Sequence, residues 1–210
     1  MRYLRAFYPS IYDGYFKQRE IERIEFAPVT IFCGGNFSGK STILNAIADG
    51  LDYMYTDVYD PCECLTHGYD YYEENVIMES DEDDNPIFPD SAIIQRNVNM
   101  FSDYEFLDNA ASDSEWVLLN MCDFSEYNIC FLDCPETALS IEQQRDLVER
   151  IEQCAYLDRT QFVISTSSPI IASVKEALIY DLDVTPVKAK EWNDVNIIRQ
   201  YYKFFYEKKK

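Results

Sequence analysis

The stretch Gly34-Gly35-Asn36-Phe37-Ser38-Gly39-Lys40-Ser41-Thr42 constrains this chain more than any other part of it. It fits the spacing G-x-x-x-x-G-K-[ST], that of a loop which wraps around a polyphosphate. Glycines let the backbone come close and aim several N–H groups at phosphate oxygens. A lysine at position 40 supplies a point charge to the β and γ phosphates, and the Ser41 hydroxyl completes the shell of a Mg²⁺ ion. The flanks agree with this. Pro28-Val29-Thr30-Ile31-Phe32-Cys33 reads as a buried strand, and Ile43, Leu44, Ala46 and Ile47 form a helical apolar stripe whose N-terminus faces the phosphates.

The rest of the chain supplies the sheet such a loop needs. Residues 1 to 27 are rich in aromatics and end in the alternating Ile21-Glu22-Arg23-Ile24-Glu25-Phe26, which predicts a small antiparallel region. Tyr12, Tyr15 and Phe16 are candidates to stack on a base, with core packing the commoner role for such residues. Ala92-Ile93-Ile94 is a short strand with Gln95 at its end. Ser112-Asp113-Ser114-Glu115 and Ser140-x-x-Gln143 are capping boxes, each opening a helix. Ile129-Cys130-Phe131-Leu132-Asp133, Gln161 to Thr166 and Ala177 to Leu182 read as strands, with residues 170 to 177 helical between the last two. Strands alternating with helices predict a mainly parallel sheet with helices packed against it.

Residues 52 to 91 differ in character, mixing tyrosines with acids and including the run Glu79-Ser80-Asp81-Glu82-Asp83-Asp84. They read as an irregular acidic and tyrosine-rich insertion at the surface of a single domain spanning 1–210. Cys62-x-Cys64-x-x-His67 offers three metal-type ligands without a second pair, and the acidic run lacks the glycine and spacing of a calcium loop.

A net charge of −20 opposes non-specific binding of nucleic acid or anionic lipid, and the basic tail Lys208-Lys209-Lys210 reads as a solvated end. No apolar run reaches the roughly eighteen residues of a membrane span, and the N-terminal residues lack a signal-peptide pattern. Seven scattered cysteines fit reduced thiols, so a cytoplasmic location is expected.

Phe131-Leu132-Asp133 puts a carboxylate at the C-terminal end of a buried strand, where open α/β sheets bind ligands. Beside a phosphate loop, Asp133 is the expected metal-side acid opposite Ser41. At these residues the chain resembles an ABC-type ATPase, in particular the small standalone bacterial ATP-binding proteins of the AAA family related to chromosome-maintenance and DNA-repair ATPase heads. Gly34 to Thr42 is similar to that family's G-x-N-G-S-G-K-S-T, with Phe37 where glycine is usual. Asp133-Cys134-Pro135-Glu136-Thr137-Ala138-Leu139-Ser140 is similar to D-E-P-E-x-A-L-S, and Ile164 to Pro169 to I-S-T-H-S-P. Ile179 to Asp183 and the ending from Trp192 through Phe205 also resemble the family. The likeness covers residues 1 to about 50 and 110 to 205, and residues 52 to 91 look shortened.

The resemblance implies a P-loop nucleotide-binding fold of ABC type, mainly parallel and flanked by helices, with an N-terminal antiparallel region and a reduced inserted lobe. It implies ATP and Mg²⁺ as ligands: Gly34 to Thr42 on the nucleotide, and Ser41, Asp133 and Gln95 on the metal side. The departures fall on catalytic positions. Cys134 stands where the family has the glutamate that activates water, Ser167 where it has a histidine at the γ-phosphate, and Ser114 where its signature segment has glycine. Glu136 is the candidate substitute base. The expected function is an ATP-gated interaction module with weak or absent hydrolysis and a protein partner of unknown identity. The alternative is an active ATPase of a defence or DNA-repair system, using Glu136 or a base from a partner; the energy subunit of a transporter is a weaker third reading. Homodimerisation stays open, because Asp113 and the overall charge oppose the head-to-head approach of related ATPases.

Overall fold

The computed structural model describes residues 4–9, 14–49, 68–71, 79–80, 86–87, 92–95, 124–126, 129–137, 139–158 and 160–209. Its centre is a six-stranded sheet built on three apolar segments. These are β3 (Val29–Cys33), β8 (Ile129–Asp133) and β9 (Gln161–Thr166), buried along their whole length. Such continuous burial needs cover on both faces, which a parallel sheet in an α/β fold has. With β7 (Ala92–Gln95), β10 (Leu178–Asp181) and β11 (Lys188–Lys190), the order is β11-β10-β3-β9-β8-β7, and only β11 runs antiparallel.

Alternation along each strand sorts side chains between two cores. Ile31, Cys130, Leu132, Phe162 and Ile164 face one side. There they meet Leu147, Val148 and Ile151 of α3 (Ile141–Gln153) and Ile198 of α4 (Asn196–Lys208). Phe32, Phe131 and Val163 face the other side. They pack on Ile43, Leu44 and Ile47 of α2 (Lys40–Asp49), on Leu4 and Phe7 of β1 (Leu4–Tyr8), and on Phe16 of α1 (Gly14–Gln18). The expected capping box is formed at α3: Ser140 Oγ accepts from the Gln143 N–H, and Gln143 Oε1 accepts from the Ser140 N–H.

The antiparallel region expected at the N-terminus is a sheet of order β2-β1-β4, with β2 at Ile24–Glu25 and β4 at Gly68–Tyr71. Gln161, buried at the start of β9, ties it to the central sheet. Its Oε1 accepts from the Leu4 N–H at 2.7 Å, and its Nε2 donates to the carbonyls of Leu4 and Ala27. Within the 52–91 stretch only β4 and the short pair β5 (Glu79–Ser80) and β6 (Pro86–Ile87) are described. The readings at Cys62, Cys64, His67 and Ser112 to Glu115 lie outside the described residues.

One expectation is corrected. Residues 170 to 177 form no α-helix, only a 3₁₀ turn at Ile171–Ser173. The Ser168 hydroxyl accepts from the N–H groups of Ile170 and Ile171, which starts a helical turn. Val174 then leaves helical geometry at φ −51°, ψ 128°, and Glu176 takes a positive φ of 55°, so the chain enters β10 after a single turn.

Candidate nucleotide site

Parallel pairing places the C-terminal ends of β10, β3, β9 and β8 along one edge, and the predicted site residues lie there. The register aligns Asp133 with Ser165, Ser165 with Phe32, and Thr166 with Cys33. The glycine-rich loop 34–42 leaves this edge directly after Cys33. The Gly34 N–H donates to Thr166 O at 3.1 Å, which anchors the loop's start to β9. Lys40, buried at the first turn of α2, folds back over the loop. Its Nζ donates to the carbonyls of Gly34 at 3.1 Å and Gly35 at 2.7 Å.

Two glycines are required by space, and Gly39 by torsion as well. A Cβ on Gly34 would lie 2.6 Å from Ser38 Oγ. Gly39 has φ +93°, and a Cβ there would lie 2.1 Å from the Tyr15 ring. Phe37 also has a positive φ, 62°, with its side chain fully exposed. Such a torsion favours glycine, since a β-carbon is disfavoured there. Ser38 Oγ is buried and is the one such side-chain atom among the described residues with no hydrogen-bond partner. A buried hydroxyl is costly without a partner, and its place inside the loop suits a phosphate oxygen.

Tyr15 is brought to the site by α1, as one of the three aromatic candidates. Its hydroxyl donates to Ser38 O at 2.8 Å, while its ring covers Gly39. The Arg19 guanidinium also reaches Ser38 O at 3.4 Å and lies over the Tyr15 ring. Tyr15, Gln18 and Arg19 line a cavity of about 600 Å³ together with Lys40, Ser41 and Thr42. Phe16 is instead buried in the core, and Tyr12 lies outside the described residues.

On the other side of the loop, the Gly35 N–H donates to Asp183 Oδ1 at 2.9 Å. Sequence pattern alone assigns Asp183 no role. The available signal was its place directly after a parallel strand that borders β3.

At the end of β8, Asp133 is buried and accepts a hydrogen bond from the Ser165 hydroxyl. Cys134 follows at φ 50°, its N–H bonded to Ser165 O at 2.9 Å and its thiol 3.6 Å from Ser165 Oγ. Burial first, then the charges of Asp133 and Glu136, push the Cys134 thiol up to about 12. It is a protonated thiol at neutral pH, neither a base nor a reactive thiolate.

The Glu136 carboxylate is gripped by the end of β9. Oε2 accepts from Thr166 Oγ1 at 2.8 Å, and Oε1 accepts from the Ser167 N–H at 2.7 Å and the Ser167 hydroxyl at 2.9 Å. Gln95 ends β7, its backbone paired with Leu132 one step before Asp133. Among the described residues no cluster of His, Cys, Asp and Glu suits a metal ion, and no helix is long and apolar enough to cross a membrane.

No family model and no curated protein matches the chain. Among solved structures it is similar to the SMC head domain from Thermotoga maritima, at 14% identity and a TM-score of 0.47, over 91% of this chain and 100% of that one. It is also similar to a dimeric bacterial ABC transporter cassette, at 13% identity and a TM-score of 0.41, over 85% of this chain and 94% of the cassette. The mainly parallel sheet, its flanking helices and the small antiparallel sheet agree with the fold class expected from the sequence.

Proposed function

We propose that this protein binds Mg-ATP and uses it to gate contact with a protein partner, with hydrolysis weak or absent. The observation that carries the reading is the state of Glu136, the one carboxylate offered as a substitute base. Its two oxygens accept three hydrogen bonds from Thr166 and Ser167, which occupy most of the carboxylate's roughly four acceptor sites and hold it against the end of β9 instead of leaving it to position a water. Cys134, at the position of the usual base, holds its own proton. Binding is supported separately. The loop has a buried hydroxyl lacking a partner at Ser38, a lysine over its carbonyls, and a cavity beside it.

On this reading, the phosphates are held by the Lys40 ammonium and by backbone N–H groups of the loop 34 to 42 other than those of Gly34 and Gly35, which bond to Thr166 and Asp183. Ser41, Asp133 and Gln95 hold the Mg²⁺, which neutralises charge on the phosphate oxygens when bound. Tyr15, Gln18 and Arg19 form the wall facing the base and sugar. The test measures ATP binding by calorimetry and phosphate release on the same preparation. Tight binding with turnover at least about a hundredfold below ordinary ATPase rates supports the proposal. Turnover at an ordinary rate that is lost in Glu136→Gln would establish the alternative, an active ATPase.

A further inference from the structure

The sequence of α4 carries an apolar stripe longer than the body of the protein covers. Ile198, Tyr201, Tyr202 and Phe205 stand at positions i, i+3, i+4 and i+7, on one face of the helix. Ile198 is 1% exposed in the core under β9. One turn later the cover stops: Tyr201, Tyr202 and Phe205 are 42%, 54% and 57% exposed, and every residue from 201 to 209 is exposed. The uncovered stripe forms one wall of an apolar groove of about 420 Å³, whose other wall is Pro169, Ile170 and Trp192, with Arg145 of α3 at its edge. So many aromatic faces on one surface mark an interaction site.

The charges flanking this groove indicate what covers it. From Arg199 to Lys210 the chain has five Lys or Arg against one Glu, within a protein of net charge −20. Beside the groove, the exposed face of α3 is acidic, with Glu142, Asp146 and Glu149 around Arg145. A basic aromatic helix and an acidic helix border the same apolar groove. Two copies related by a two-fold axis bring each α4 against the other's α3, aromatic stripe into groove and lysines onto carboxylates. A two-fold interface requires such self-complementarity. We infer that this surface is the docking site for a second copy of the chain, independent of the nucleotide reading. The apolar groove and the carboxylates beside it fit a protein face; nucleic acid would meet those carboxylates as like charge.

The groove also lies near Ser167 at the end of β9. The Trp192 indole N–H donates to Pro169 O at 3.0 Å, two residues beyond Ser167, and Tyr202 packs edge-on against Trp192 with ring centres 6.0 Å apart.

The test is sedimentation equilibrium on the full chain without nucleotide. A dimer with a Kd of roughly 1 to 100 µM is expected, as suits an interface of modest size. Phe205→Asp, at an exposed position that leaves the fold intact by circular dichroism, should weaken it at least about tenfold. Lys208→Glu with Lys209→Glu should weaken it too, and adding Glu142→Lys with Glu149→Lys should restore it. Lys40→Ala should leave the dimer unchanged, which keeps this result separate from the fate of the ATP reading. A wild-type monomer across that concentration range overturns the inference, including one that instead binds single-stranded oligonucleotide. A dimer insensitive to Phe205→Asp overturns it as well.

Discussion

Ser167 donates twice to one oxygen of Glu136, through its N–H at 2.7 Å and its hydroxyl at 2.9 Å from Oε1. A histidine in place of Ser167 would keep the backbone bond and lose the hydroxyl one. The serine at 167 and the orientation of Glu136 are therefore one arrangement, in which the short hydroxyl side chain closes onto the carboxylate.

The first prediction concerns hydrolysis. In-line attack needs a positioned base and donors for the charge that develops, and a positioned base is worth about 10² to 10⁴ in rate. Cys134→Glu with Ser167→His is expected to raise ATP turnover more than either change alone, because both groups act on one transition state. Phosphate release under saturating Mg-ATP measures it. A double variant no faster than either single variant would place the defect elsewhere.

Binding should depend on Lys40. Saturating Mg-ATP at one hundred times Kd stabilises the protein by about 2.7 kcal/mol. In Lys40→Ala most of that gain should vanish while the fold remains. Thermal melts with and without Mg-ATP decide it, and an unchanged shift would remove the site assignment.

Gly39 and Tyr15 should be coupled. Gly39→Ala forces a β-carbon into the Tyr15 ring at a torsion of φ +93°, and a loss of roughly 1 to 3 kcal/mol is expected. In the Tyr15→Ala background the same change should cost less, since the clash is gone and the torsional strain remains. Urea melts of the four proteins give the coupling energy. Additive losses would mean that the ring does not sit over Gly39.

The thiols predict a loss of stability at high pH. Burial is the largest cause in both Cys33 and Cys134, and each is pushed from an ordinary 9.0 up to about 12. Below pH 9 both states keep these protons and the thiols add no pH dependence. Between 9 and 12 the unfolded chain loses them while the folded chain does not, so stability falls as pH rises. The slope is at most about 1.4 kcal/mol per pH unit for each thiol. Denaturant melts from about pH 8 to 10 should show a shallower slope in Cys134→Ala than in wild type; equal slopes would show Cys134 to be solvated.

The sequence by itself determined the elements whose pattern is local. The G-x-x-x-x-G-K-[ST] spacing placed a loop between β3 and α2, and the runs 129–133 and 161–166 could be buried only inside a covered sheet. The Ser140–Gln143 capping box set the start of α3, because its partners stand three residues apart. What the tertiary structure decided depends on partners far apart in the chain. Glu136 meets Thr166 and Ser167 about 30 residues later only because β8 and β9 pair in parallel register. Gly35 meets Asp183 because β10 borders β3, and Gln161 reaches Leu4 across 157 residues. Residues 170 to 177 failed as a helix for the same kind of reason: the hydroxyl of Ser168 started a turn, and the pairing of β10 with β3 ended it. Periodicity records which face of a segment is buried. Which carboxylate accepts from which hydroxyl is set by strand order, and no local pattern records that.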